Sequence, residues 1–123
     1  MNQFSASGYA TALAQVGTQR EAEARILSRL TANLAAAMGR VTQDFPALIR
    51  ALHDNDRFWT HIANDLASDG NALPDQLRAS LISIAGFVIG HSAKVRRGAA
   101  SAQPLVDINQ SIIRGLTTEK GAK

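Results

Sequence analysis

The stretch from Pro74 to Arg97 constrains the fold more than any other part of the chain. Leu77, Leu81, Ile84, Val88 and Val95 recur at helical spacing and form one stripe, with His91 filling the gap before Val95. Ile82, Ala85 and Ile89 make a second apolar wing. The remaining side, Ala79, Ser83, Gly86 and Gly90, is a ridge of small residues on which another backbone can lie close. A helix that is apolar or small nearly all the way round is either a buried central helix or a surface that another protein covers. The narrow stripe of Leu77, Leu81, Ile84 and Val88 is therefore expected in the core. The fixed φ and missing amide of Pro74 suit the first helical position.

The rest of the sequence repeats the helical period. Tyr9, Leu13 and Val16 mark a short amphipathic segment ending near Gly17. Thr18-Gln-Arg-Glu21 has the form of a capping box, and Ile26, Leu30, Leu34 and Met38 follow at four-residue intervals up to a stop at Gly39. A third helix is expected from around Thr42 to Pro46, carrying Phe45, Leu48, Ile49 and Leu52. Asp54-Asn-Asp56, three residues that favour caps and turns, predicts a break or kink there. The period resumes with Trp59, Ile62, Ala63 and Leu66 and ends at Ser68-Asp-Gly-Asn71. After Gly98-Ala-Ala-Ser-Ala102, read as a flexible link, Pro104 opens a last helix with Leu105, Ile108, Ile112 and Leu116 on one stripe and Val106 and Ile113 on another. No segment alternates long enough to make a sheet. The expectation is an all-α, single-domain bundle of four to six helices over residues 1–117, followed by a flexible polar tail over 118–123.

Composition closes off several classes of function. With 123 residues, 46% hydrophobic and 19% charged, the chain is long and apolar enough for one modest core. The absence of cysteine excludes disulfides, zinc-thiolate sites and thiol catalysis. The N-terminus lacks the basic start and apolar stretch of a secretory signal. The longest apolar run, Leu81 to Gly90, is about half the ~20 residues needed to cross a membrane, so no membrane insertion and a cytoplasmic location are expected. The net charge of +3 comes from cations spread along the chain, and only Lys94, Arg96 and Arg97 cluster. This pattern reads as a basic surface with a favourable cation pair at a helix C-terminus, and direct RNA binding is not expected.

No constellation of catalytic groups is found. His53 and His61 lie eight apart across the expected break, His91 is remote, and neither HExxH nor ExxH occurs, so no metal and no cofactor are expected. Gly90-His-Ser92 lacks the second glycine and the preceding strand of a nucleophile elbow, and Ser92 reads as a surface serine. A helix-turn-helix over residues 42–67 would place Phe58, Trp59 and Ile62 where base-reading polar groups are wanted. Asn109-Gln-Ser111 matches a glycosylation sequon only by chance. The chain reads as a non-enzymatic binding module. Trp59 fits the core by its spacing to Ile62 and Leu66, and is also a candidate interface anchor. The other candidates for partner contact are Phe4 and Tyr9 near the start and the wing residues Ile82, Ile89, Val106 and Ile113.

Three blocks resemble the FlaF family of bacterial flagellar biosynthesis regulators. They are Phe58-Trp59 followed by Asp65-Leu66; Asn71-Ala-Leu-Pro74 with Leu77-Arg-Ala-Ser-Leu-Ile-Ser-Ile84; and Pro104-Leu-Val-Asp-Ile-Asn109 with Ile113-Arg-Gly-Leu116. Phe4 and Tyr9 are also similar to the family, while Ala35 to Asp44 matches loosely. The resemblance implies a non-enzymatic cytoplasmic protein required for flagellin production and filament assembly. Two mechanisms follow from it. In one, the protein binds flagellin as a secretion chaperone, and a groove between helices 74–97 and 104–116 would suit recognition of an amphipathic segment. In the other, it acts post-transcriptionally, through the flagellin translation repressor FlbT or directly on flagellin mRNA. The dispersed charge favours protein–protein contact.

Overall fold

The computed structural model describes the backbone of residues 18–71 and 73–121 and the side chains of 21–71 and 73–114. Among the described residues there are four helices and no strand: α1 Thr18–Met38, α2 Phe45–Ala67, α3 Asp75–Arg96 and α4 Gln103–Gly121. The short amphipathic segment around Tyr9 and Val16 lies outside the described residues. Short connections set the helices alternately up and down. The ring runs α3 against α2, α2 against α1 and α1 against α4, with α4 and α3 touching least.

Local chemistry sets the boundaries. Asp44 caps α2, its side chain accepting from the Ala47 amide at 3.1 Å, with Pro46 inside the first turn. The α3 helix starts at Asp75, one residue after the expected position, because Pro74 is extended at φ −57°, ψ 146° and supplies only its carbonyl, to the Arg78 amide. At its far end Gly98 adopts φ +75°, the Gly98 amide bonds Val95 and the Ala99 amide bonds Lys94, both at 2.9 Å. That pair of bonds is a Schellman close, which satisfies the last carbonyls of α3. The link to α4 is thus a defined turn, and Ala102 within it is buried. The α4 backbone stays helical through Gly121, into the stretch read as a polar tail.

Two apolar clusters fill the bundle. The larger joins Leu27 and Leu34 of α1, Leu48, Leu52 and Trp59 of α2, Val88 and Val95 of α3, and Leu105, Val106 and Ile112 of α4. The smaller packs Ile62 and Leu66 of α2 against Leu73, Leu77 and Leu81 at the start of α3. Phe58 and Ile84 touch both clusters. Each fully buried leucine contributes about 1.5–3 kcal/mol of transfer free energy, so these two clusters carry the fold.

The expected break at Asp54-Asn-Asp56 does not occur; α2 is continuous through it. Tertiary partners override the local preference. Asn55 is fully buried, its Oδ1 accepting from Asn109 Nδ2 at 2.9 Å, and Asn109 Oδ1 accepts from Trp59 Nε1 at 3.0 Å. Asp56 accepts from Ser92 Oγ at 2.7 Å and from Arg96 at 2.8 Å. Ser92 is accordingly an interior residue of the α2–α3 contact and not a surface serine. Arg96 serves the same contact, so it is not simply a cation facing its own helix end. On α1, buried Thr31 returns its hydroxyl to the Leu27 carbonyl at 2.7 Å, and buried Glu23 meets His61 of α2 at 3.3 Å.

The ridge of small residues on α3 is not where another helix lies. Ala79, Ser83, Gly86 and Gly90 are exposed, and nothing lies within 4 Å of where a Cβ at either glycine would sit.

Candidate functional site

The α3–α4 side of the ring is open. α3 packs chiefly on α2 and α4 chiefly on α1, so the two diverge and leave a groove of about 540 Å³ between them. Ile84 and Phe87 of α3 and Ile108 and Ile112 of α4 supply its apolar surface. Ser80, Ser83, Ser111 and Asp107 supply the polar parts. Phe87 is 51% exposed, the most exposed large apolar side chain described. Its ring stacks on His91 at 5.4 Å, and His91 Nε2 bonds the Ser101 carbonyl at 2.7 Å. The stack fixes Phe87 while leaving one face open. Asp107 is held by Gln103 Nε2 at 2.8 Å.

The residues singled out from the sequence divide between core and surface. Phe4 and Tyr9 lie outside the described residues. Trp59 is 3% exposed and joined to Asn109, so it is an interior residue and not an interface anchor. Val106, also 3% exposed, belongs to the main core. The inward face of α4 runs Leu105, Val106, Asn109 and Ile112, which turns the Val106 wing inward and leaves Ile108 on the groove side. Ile113 is half-buried against the main core and Ile82 against the smaller cluster. Ile89 is exposed, on α3 but outside the groove lining. Ile84, expected fully in the core, is half-buried and forms part of the groove wall.

Phe87 and Ile108 are the groove residues that sequence reading passed over as contact candidates. The available signal was the i, i+4 pair Phe87–His91, an aromatic couple on a face carrying little else that is large.

The residues that carry the sequence resemblance turn out to build joints. Trp59 and Asn109, from two separate blocks, form the buried bond between α2 and α4. Asn71 accepts from the Leu73 amide at 3.0 Å and donates to Asp65. Arg78 donates to the Leu66 carbonyl at 3.1 Å, covering the end of α2, and pairs with Asp75. Compared with known protein families, residues 5–116 match the family model described as flagellar protein FlaF. The chain belongs to the FlaF family of flagellar proteins. No curated protein and no solved structure matches it.

In this FlaF-family protein the described surface carries the open α3–α4 groove. No three His, Asp or Glu side chains among the described residues come together as metal ligands. No helix among them is long and apolar enough to cross a membrane. Asn109, the sequon residue, is fully buried within the bundle, consistent with a chance match.

Proposed function

We propose that this FlaF-family protein acts by protein–protein contact in the cytoplasm, binding flagellin as a secretion chaperone through the α3–α4 groove. The observation that carries the reading is Phe87, half exposed at the mouth of an open apolar groove, in a chain whose family is flagellar. The groove wall from Ser80 to Phe87 rises roughly 10 Å along α3, the span of i, i+4 and i+7 anchors on a docking helix. Amphipathic terminal segments of flagellin, unpaired before they polymerise, have that pattern. Serines and Asp107 at the polar margins suit the wetter flank of such a helix.

The test is titration of monomeric flagellin into the full-length protein by calorimetry, with flagellin lacking its terminal segments as the comparison. A complex with a Kd in or below the tens of micromolar, lost on truncation, supports the reading. No complex at that concentration overturns it.

A further inference from the structure

The face opposite this groove, between α1 and α2, carries two facing rows. On α1 the row is Ile26, Arg29, Asn33, Ala36 and Arg40; on α2 it is Ala47, Arg50, Asp54, Arg57 and His61. Both rows follow helical spacing, so each lies along one line of its helix. The helices run antiparallel, so Asn33, Ala36 and Arg40 of the first row meet Ala47, Arg50 and Asp54 of the second. Asn33, Arg40, Arg50 and Asp54 line one cleft of about 350 Å³ with alanines as its floor, and His61 reaches Glu23 at 3.3 Å towards the other end. The cleft extends roughly 10 Å along each helix, from Asn33 to Arg40 and from Ala47 to Asp54, at 1.5 Å per residue.

The four arginines of these rows are all exposed, and none of them forms an ion pair or side-chain hydrogen bond among the described residues. Asp54 is the single carboxylate in the rows. The sequence spreads its cations evenly, and the antiparallel pairing of α1 with α2 brings Arg40 and Arg50 to the two banks of one cleft, with Arg29 and Arg57 exposed further along the same two helices. We propose that this cleft is a second interaction surface, which takes a helical protein segment with acidic flanks and a small apolar seam.

Three observations favour a peptide helix over a nucleic acid. The floor is alanine, and Ala37 and Ala51 at its base are buried, so a backbone can approach closely. Ile26, at the end of the α1 row, is 38% exposed and offers an apolar anchor. No Phe, Tyr or Trp lies in either row, so bases would have little to stack on. Arginines on both banks suit carboxylates on both flanks of one helix, each guanidinium presenting a planar fork. This surface is on other helices than the flagellin groove and stands or falls separately from it.

The experiment is fluorescence anisotropy of the full-length protein with three labelled probes. These are a designed helical peptide with glutamates on both flanks of an alanine–leucine seam, the same peptide with lysines for glutamates, and an oligouridylate. The glutamate peptide should bind in a salt-sensitive manner and the lysine peptide should not. Arg40→Glu/Arg50→Glu should weaken the glutamate peptide about tenfold or more, whereas Lys94→Glu/Arg97→Glu on another part of the surface should change it less than about twofold. Asp54→Asn should tighten it. Thermal midpoints check that each variant is folded, and Arg40→Gln/Arg50→Gln, with a smaller expected loss, replaces the reversal if that variant unfolds. Absence of binding, equal loss in both reversed pairs, or tighter binding of oligouridylate through Arg40 and Arg50 would each overturn the proposal.

Discussion

Trp59 Nε1 donates to Asn109 Oδ1 at 3.0 Å, across fifty residues of sequence and between two helices that are not neighbours in the chain. Both side chains are buried. Because the indole can only donate, Asn109 must present its oxygen to it, which points the Asn109 amide at Asn55 Oδ1. The Asn55 amide is then left as a buried donor without a partner. The network therefore fixes how α2 and α4 sit against each other, at the cost of one unsatisfied group.

The order of damage follows from counting stranded groups. Trp59→Phe leaves one buried acceptor unpaired and should cost about 1–3 kcal/mol. Asn109→Ala strands both the indole donor and the Asn55 carbonyl and opens a cavity, so it should cost more, about 3–5 kcal/mol. Asn55→Ala strands only the Asn109 amide, while removing a donor that was already unpaired, and should cost less than Asn109→Ala. Urea unfolding of the three variants tests the order. A double-mutant cycle of Trp59→Phe with Asn109→Leu should show a coupling of about 0.5–3 kcal/mol.

Asp56 is the corresponding node between α2 and α3, accepting from both Ser92 and Arg96. Ser92→Ala loses a single hydrogen bond and should cost about 1 kcal/mol. Asp56→Ala should cost more, because a buried hydroxyl and a partly covered guanidinium lose their partner together. Equal costs in thermal unfolding would mean that Arg96 contributes nothing through this contact.

How much of this was legible in the sequence depended on whether the deciding interaction was local. The helical period placed α1 to α4 and the core positions Leu77, Leu81 and Val88, since periodicity reports which side of a helix is apolar. The expected start of α2, around Thr42 to Pro46, brackets the Asp44 cap for the same reason, whereas Gly98 closes α3 where a flexible link was expected. Asp54-Asn-Asp56 misled because their turn preference is weak beside tertiary hydrogen bonds to Asn109, Ser92 and Arg96, none of which the sequence spacing encodes. A groove lies between the two expected helices, lined by Ile84, Phe87, Ile108 and Ile112, whereas the contact candidates on these helices were Ile82, Ile89, Val106 and Ile113. A rotation of α4 by a fraction of a turn exchanges Val106 for Ile108, and rotation about a helix axis is set by packing on α1. Most residues of the family blocks that the structure describes are scaffold, so recognising them located the fold and left the contact surface to be found from geometry.

Glycines on α3 and at its end should respond in opposite directions. Gly86 and Gly90 lie in the helix with open space around them, so Gly86→Ala and Gly90→Ala should each raise stability by about 1 kcal/mol. Gly98 holds φ +75°, and Gly98→Ala should lower stability by about 1 kcal/mol despite equally open surroundings. Differential scanning calorimetry separates the signs. Loss of stability at Gly86 or Gly90 would mean that the ridge is covered in solution.

Scaffold and groove make the most discriminating comparison. Leu81 is 1% exposed, and Leu81→Ala should cost roughly 2–5 kcal/mol, with flagellin binding lost only as folding is lost. Val106→Ser should behave likewise, since Val106 is in the main core. Phe87→Ser removes a side chain that is half in water and stacked on one partner, so the thermal midpoint should move little. If flagellin docks in the groove, the same change should weaken its binding about tenfold or more, as expected for an aromatic anchor. Ile89→Ser provides the internal control: Ile89 is exposed on the same helix but does not line the groove, so both midpoint and affinity should stay near those of the unaltered protein. Scanning calorimetry of the four variants reads the midpoint, and calorimetric titration with flagellin reads the affinity. Weakening by Ile89→Ser with Phe87→Ser unaffected would move the contact surface off the groove and onto the exposed side of α3.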